Sequence, residues 1–333
     1  MTSISYGDLA HSYLLRRQNV TTKTEMQALQ TEVVTGQTRD ITARVRGDVV
    51  PLMGLDASLS RLEGYQTLAR EQLLVTGAMQ TALNTIHDLS SNLAEFLIGV
   101  STGVSETRVT AAAATARSNL ETVVSALNTR FGDRSIFAGM ATSSPALVDA
   151  DTLLDSAETV VAGLTSATDI DAALTAWFDS PAGFQVAAYT GGAPLAPVTV
   201  SAGEEADMNI TALDPAIKAT LKGLVMASLL DRGLLAGQLS ARQNLANSAG
   251  VSLMQTNTDR AYLTGRLGEV EAQVESAASR NSAEATSLRI VRNEITTVDG
   301  YEVASKLQDT QAQLEKIYTL TARMTRLSLM DYL

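Results

Sequence analysis

From Leu55 to Leu97 the sequence repeats a single period. Leu55, Leu59, Leu62, Ala69, Leu73, Thr76, Leu83, Ile86, Leu93 and Leu97 follow one another at steps of three, four or seven. That spacing places one stripe on a helix and fits no strand. A helix of about 40 residues is ~60 Å long, which exceeds the diameter of an ordinary small domain and predicts a rod-like element.

The rest of the chain falls into place around this run. Leu9, Tyr13, Val20, Met26, Leu29 and Val33 predict a first amphipathic helix, interrupted at Gly36. Residues 36–54 are polar, carry Arg39, Arg44, Arg46, Gly47 and Pro51, and read as a loop. From about Ser105 to Arg130, Ala113, Ala116, Leu120, Val123 and Leu127 form a seam whose alanines allow close helix approach. Between Phe131 and Pro145, Ile136 and Phe137 lie between Gly132 and Gly139, a pattern for turns and a short hairpin.

Residues 148–178 fit short helices or strands, and Gln185–Tyr189, Pro197–Val200 and Met208–Leu213 are strand candidates. Asp214-Pro215 is a helix start, because Asp caps well and Pro suits the first turn. After a break near Gly233 to Gly237, helix continues to about Arg292. Val270, Val274, Ala277, Leu288 and Val291 share a seam with Asn281 and Glu284. Val298-Asp299-Gly300 breaks it, and a final helix carries Leu307, Leu314, Ile317, Leu320, Met324 and Leu327 on one stripe.

Charge marks the same division. The chain has 36 acidic and 25 basic side chains, a net charge of −11. Between Val148 and Ile217 there are eleven acids and no Lys or Arg, so this segment carries the whole deficit and the flanks are neutral together. Five of the six prolines and the only Trp lie between Pro145 and Pro215. The expected fold class is therefore mainly α. N- and C-terminal flanks form a long antiparallel bundle or coiled coil, and a small α/β or β-rich module is inserted between them. The acidic module is expected to face solvent, where like charge favours solubility.

Several chemistries are excluded. A net negative chain without clustered cations does not suit nucleic acid. Absence of Cys removes disulfides, zinc fingers, iron–sulfur clusters and thiol nucleophiles. The two His, His11 and His87, are far apart and give no metal site. No P-loop, G-x-S-x-G, H-E-x-x-H or G-x-G-x-x-G occurs. Glu204, Glu205 and Asp207 read as a solvated loop rather than a calcium site. The sequons at Asn19 and Asn209 are short enough to arise by chance. Residues 180–203 are uncharged but broken by Gly and Pro, so no membrane insertion is expected. The N-terminus lacks a cleavable signal pattern. No enzyme activity and no cofactor are expected.

The terminal stripes are the sharper signal. Leu320, Met324, Leu327, Leu329 and Met330 lie in the last turns before Leu333, and burying each such side chain is worth roughly 1.5–3 kcal/mol. A two-helix pair leaves much of that stripe open, whereas many copies side by side would cover it. The candidate assembly interface is Leu9, Tyr13, Leu29, Val33, Leu307, Leu314, Ile317, Leu320, Met324, Leu327, Leu329, Met330, Tyr332 and Leu333.

Three segments resemble the flagellin superfamily of bacterial axial proteins, and within it the hook–filament junction branch. Leu29–Gln37 (LQTEVVTGQ) is similar to the superfamily's Leu-x-x-x-x-Ser/Thr-Gly segment. Residues 132–145 (GDRSIFAGMATSSP) resemble the junction proteins' Phe-Ala/Ser-Gly segment with a following Pro. The end of the chain resembles the superfamily's last helix, and its LSLMDYL finish looks more like a junction protein than a flagellin. One departure stands out: where members commonly carry Asp-Asp-Pro, this chain has ARVRGDVVPLM with Asp48 and Pro51.

The resemblance implies a non-enzymatic hook-associated structural subunit. It would be exported unfolded without a cleaved signal peptide, and it would lie outside the cell at the hook–filament junction. Residues 1–47 and 296–333 would be terminal, inner helices; 48–147 and 214–295 a helical bundle with a hairpin; 148–213 an exposed variable module. Implied partners are further copies of itself, the other hook-associated junction protein, flagellin and an export chaperone. Alternatives are flagellin itself, a ligand-binding module near Trp177 or Glu204 on a helical scaffold, or an unrelated soluble coiled coil.

Overall fold

The structure, a computed structural model, describes the backbone of residues 6–100 and 105–330, and the side chains of residue 10 and of residues 13–100 and 105–324. It is mainly α. In chain order the elements are α1 (Tyr6–Thr35), α2 (Ile41–Arg44), α3 (Val50–Val100), α4 (Glu106–Leu127), β1 (Arg130–Phe131), β2 (Arg134–Ser135), α5 (Ala150–Val160), α6 (Ala167–Asp179), α7 (Phe184–Ala187), β3 (Val198–Ser201), β4 (Glu204–Ala206), α8 (Pro215–Ser228), α9 (Leu239–Gln255), α10 (Asn257–Thr296) and α11 (Gly300–Met330). The strands form two antiparallel hairpins, β1–β2 and β3–β4. Two compact units are present, Met1–Glu63 with Ala283–Leu333, and Gly64–Ser282, with both boundaries inside helices, α3 and α10.

Gly64–Ser282 is built around α8. This helix is buried on nearly all sides, including Ile217, Leu221, Leu224, Val225 and Met226, because its sequence offers few polar side chains to solvent. Thr220 and Ser228 donate back to the carbonyls of Ala216 and Leu224, at 2.7 Å each, which satisfies their hydroxyls in the core. Asp214 starts the helix as expected: its carboxylate accepts from the Ala216 N–H, with Pro215 in the first turn. Two glycines set how closely α9 packs. A β-carbon on Gly223 would lie 2.7 Å from the Leu253 side chain, and one on Gly250 would lie 2.9–3.0 Å from Ile98, Leu97 and the Ala94 carbonyl.

The 148–213 stretch shares this core. Leu153 and Leu154 on α5, Ile170, Leu174 and Phe178 on α6, and Phe184 are buried in one cluster with Leu120, Leu127 and the residues of α8. Residues 185–187, a strand candidate by composition, are in α7, and Tyr189 makes a single bridge to Leu147. The third strand candidate, Met208–Leu213, is also not a strand; β3 pairs instead with Glu204–Ala206. Both differences arise where short apolar runs have no period to distinguish strand from helix.

The acids of this stretch are not simply a solvated face. Arg232 binds the carboxylates of Asp151 (2.9 Å), Asp155 and Glu158 (3.4 Å), and Arg117 binds Asp151 at 3.0 Å. Lys222 binds Asp171 at 3.0 Å, Arg266 binds Asp214 at 3.4 Å, and Arg280 binds Glu204. Six of the eleven acids thus pair with cations from α4, α8 and α10 and with Arg232 in the turns after α8, which sequence order had separated from them.

The β3–β4 hairpin lies on α3 and α10. Val200 and Ala206 form a small apolar cluster with Ala69, Val274 and Ala277. The α10 seam contains a shift. Val274, Ala277, Asn281 and Ala285 are buried, while Glu284 and Val291 are exposed. Two successive steps of four correct the drift between a seven-residue repeat and 3.6 residues per turn.

Candidate assembly surface

In the unit formed by Met1–Glu63 and Ala283–Leu333, α1 ends where Gly36 takes a positive φ of 68° and its N–H bonds to the Glu32 carbonyl at 2.8 Å. The chain then crosses the α10–α11 break. Gln37 bridges Thr297, the Thr38 N–H donates to the Thr296 carbonyl (2.9 Å), and the Val298 N–H donates to the Gly36 carbonyl (3.1 Å). The 36–54 stretch is shorter as a loop than its polarity predicts. Asp40 caps α2 through the Ala43 N–H at 2.9 Å, and Asp48 accepts from the Val50 N–H at 3.2 Å, so α3 starts with Pro51 in its first turn. Arg292 binds Asp56 at 2.7 Å and Arg289 binds Glu63 at 2.9 Å, which pairs the first turns of α3 with the end of α10.

From that crossing α1 and α11 run antiparallel and pack against each other. On α11 the buried and half-buried positions include Val303, Leu307, Thr310, Leu314, Ile317 and Met324. On α1 they include Leu15, Asn19, Thr22, Met26 and Leu29. Both sets step by alternating three and four residues, or by seven, which is the coiled-coil seam. Several seam positions are polar, and Thr310 donates to the Lys306 carbonyl at 2.8 Å. Lys306 also binds Glu302 at 2.6 Å; this hydrogen bond, with the nearby charges of Glu302 and Glu32, raises its pKa.

The sequence-predicted interface residues divide accordingly. Leu29, Leu307, Leu314, Ile317 and Met324 are brought together in the seam. Tyr13 and Leu320 are exposed at 66% and 52%, and Val33 is exposed where the seam ends. The side chains of Leu9, Leu327, Leu329 and Met330, and all of Tyr332 and Leu333, lie outside the described residues. Sequence reading missed Leu15, Asn19, Thr22, Val303 and Thr310. Their signal was the three–four step itself, which polar residues occupy in part. Tyr13, Val20 and Val34 lie at steps of seven or fourteen on α1, one residue past the seam positions, and are exposed. Tyr318 and Leu320 flank the seam on α11.

Other candidate chemistry is accounted for by packing. Trp177 meets Phe178 and Phe184 edge-on, with ring centroids 5.0 and 5.8 Å apart, and Phe178 stacks on Phe184 at 4.7 Å. Glu204 is engaged by Arg280. Among the described residues no group of three or more His, Asp or Glu is placed to hold a metal ion, and no helix is long and apolar enough to cross a membrane. An open groove of about 650 Å³ between the starts of α6 and α9 is lined by neutral side chains such as Ser166, Thr168, Gln238 and Asn244.

No known family profile matches the chain, and no curated protein matches it. Solved structures do. The chain is similar to a flagellar hook-associated protein from Vibrio parahaemolyticus, with a TM-score of 0.52 and 14% identity over 74% of this chain and 96% of that one. It is also similar to FlgL from Bacillus cereus, with a TM-score of 0.51 and 15% identity over 72% of this chain and 98% of that one. The fold is therefore that of flagellar hook-associated proteins.

Proposed function

We propose that this protein is a structural subunit of the bacterial flagellum, a hook-associated junction protein that links hook to filament by polymerising through its terminal helices. The observation that carries this reading is the α1–α11 pair. It is a two-helix seam that keeps Tyr13, Val20, Tyr318 and Leu320 exposed beside it. Packing further helices against those flanks removes this apolar surface from water. The likeness to flagellar hook-associated structures supports the same role.

In this reading residues 1–47 and 296–333 form the inner layer, 48–147 and 214–295 the surrounding bundle, and 148–213 the outward part. Partners are further copies, the other junction protein, flagellin and an export chaperone. The site is extracellular, on the flagellum, and the role is structural rather than catalytic. Deleting Lys306 to Leu333 tests the proposal. Filaments should then fail to stay on hooks, and filaments that assemble stably without the segment would refute it. Immunogold labelling should mark the hook–filament boundary; labelling along the whole filament would identify a flagellin instead.

A further inference from the structure

Arg260, near the start of α10, is 4% exposed. Its two Nη atoms donate to neutral acceptors: the Leu253 carbonyl at 3.1 Å, and Thr220, Ser91 and Asn257 at 3.4 Å. Its Nε–H is buried and reaches no acceptor among the described residues. Folded proteins satisfy such donors with protein groups or ordered water, because a buried donor left unpaired keeps its full desolvation cost. The side chain borders a small cavity of about 10 Å³ where α3, α8 and α10 meet. Leu83, Ile86, Ile217 and Leu263 supply the apolar wall of this cavity; Arg260, Thr220 and Thr264 supply the polar one.

The space is close to the smallest that takes one water, and cavities with several polar partners are wet where purely apolar ones stay dry. The hydroxyl protons decide which small guest fits. Thr220 donates its proton to the Ala216 carbonyl at 2.7 Å, and Thr264 donates its own to the Arg260 carbonyl at 3.0 Å. A carbonyl only accepts, so both hydroxyl oxygens have nothing but lone pairs left to offer. The polar wall therefore supplies one donor, the Nε–H, and two acceptors. A halide, which only accepts, would meet those lone pairs. A metal ion would be repelled by the guanidinium charge. Water alone of the three both accepts and donates. We propose that the cavity is a binding site for one internal water, which accepts from the Arg260 Nε–H and donates to the Thr220 and Thr264 hydroxyls. The water completes the hydrogen bonding of a guanidinium that has no carboxylate partner, and it ties α10 to α8 beside α3. The inference does not rest on the junction reading.

The test uses the full chain, isotope-labelled at arginine, with water itself as the probe. The Arg260 Nε–H signal is identified by its loss in Arg260→Lys. In the unsubstituted protein it should show a rotating-frame Overhauser peak to water, opposite in sign to chemical exchange. Thr220→Val and Thr264→Val preserve side-chain shape and remove one acceptor each. Each should weaken the peak, and the double variant should lose it while circular dichroism reports intact helices. Replacing chloride by bromide in the buffer should leave the Nε–H shift unchanged. Absence of the water peak in the unsubstituted protein overturns the proposal, and that measurement needs no variant to fold. A bromide-dependent shift would make the guest an anion and overturns it as well. So does a peak that survives both threonine substitutions. Filament retention does not enter this readout, so its failure and that of the junction reading remain separate.

Discussion

Asn281 on α10 holds Val200 on β3: its Nδ2 donates to the Val200 carbonyl at 2.8 Å, and its Oδ1 accepts from the Ser201 hydroxyl at 3.0 Å. The side chain is 1% exposed and occupies a position of an otherwise apolar seam. A polar residue there does not face another helix. It satisfies the edge of a hairpin that arrives from eighty residues earlier. Asn281→Leu leaves a carbonyl and a hydroxyl unpaired against the helix, a loss of about 1–3 kcal/mol. Hydrogen exchange should show the amides of 198–206 losing protection first. Unchanged protection there would assign the hairpin's attachment to the apolar contacts alone.

Arg232 carries a different kind of junction. Its guanidinium is fed by three carboxylates of α5, Asp155 chief among them, and these hydrogen bonds raise its pKa despite partial burial. Because the acids are largely exposed, the network is worth less than a buried one. Arg232→Ala should lower stability by about 1–2 kcal/mol, with faster exchange of the α5 amides. The gap between wild type and variant should narrow in high salt.

Arg260 is buried at the α9–α10 break without a carboxylate beside its guanidinium. It donates to the Leu253 carbonyl at 3.1 Å and, at 3.4 Å, to Thr220, Ser91 and Asn257, while its Nε has no partner. Burial lowers its pKa to about 10, opposed by the charge of Asp259. The unfolded chain therefore holds this proton more tightly, and burial of the charge costs stability at every pH below about 10. That cost shrinks as pH rises through 10 toward the unfolded value. Arg260→Met removes the buried charge but leaves the Leu253 carbonyl without this donor, so the pH dependence rather than the sign at pH 7 is the test. The stability of the wild type relative to the variant should rise between about pH 9 and 11. A constant or falling difference would contradict the assigned sign.

Gly250 has no space for a side chain, since α3 lies against it. Gly250→Val should destabilise by about 2–3 kcal/mol through overpacking, measured by urea denaturation. Gly64, where an added β-carbon would meet nothing within 4 Å beyond its own helix turn, provides the control: Gly64→Ala should be neutral or mildly stabilising.

Two substitutions on α11 separate pairing from assembly. Ile317→Asp places a charge in the seam and should unzip α1 from α11, read as faster proteolysis of both ends in the monomer. Leu320→Asp is exposed in the monomer, so it should leave that proteolysis unchanged while reducing polymerisation. Equal effects of both on the monomer would contradict the seam described.

The long helices were legible in the sequence because period reports directly on backbone geometry. The run from Leu55 to Leu97, the Ala seam of α4, the Asp214 cap and the break at Val298 to Gly300 all follow from local spacing and capping chemistry. The α10 seam was legible to Asn281 and again at Leu288, which is half-buried. Beyond Asn281, strict extension of the heptad selects Glu284 and Val291, whereas the helix's natural 3.6 residues per turn turns Ala285 inward. On α11 the predicted stripe placed Leu307, Leu314, Ile317 and Met324 in the seam, but it also took in the exposed Leu320 and passed over Thr310. The α1 seam was not legible, because Asn19 and Thr22 fill places that a hydrophobic pattern leaves blank.

The sequence by itself determined where helix runs, where it stops, and that both flanks carry amphipathic stripes, since these depend on neighbours within two turns. Only the tertiary structure decided which stripe positions meet inside the α1–α11 seam and which stay exposed. It also decided that half of a cation-free acidic stretch is matched by Arg117, Lys222, Arg232, Arg266 and Arg280 from elsewhere in the chain. Such pairings arise between residues tens of positions apart, and charge attraction acts through space rather than along the sequence.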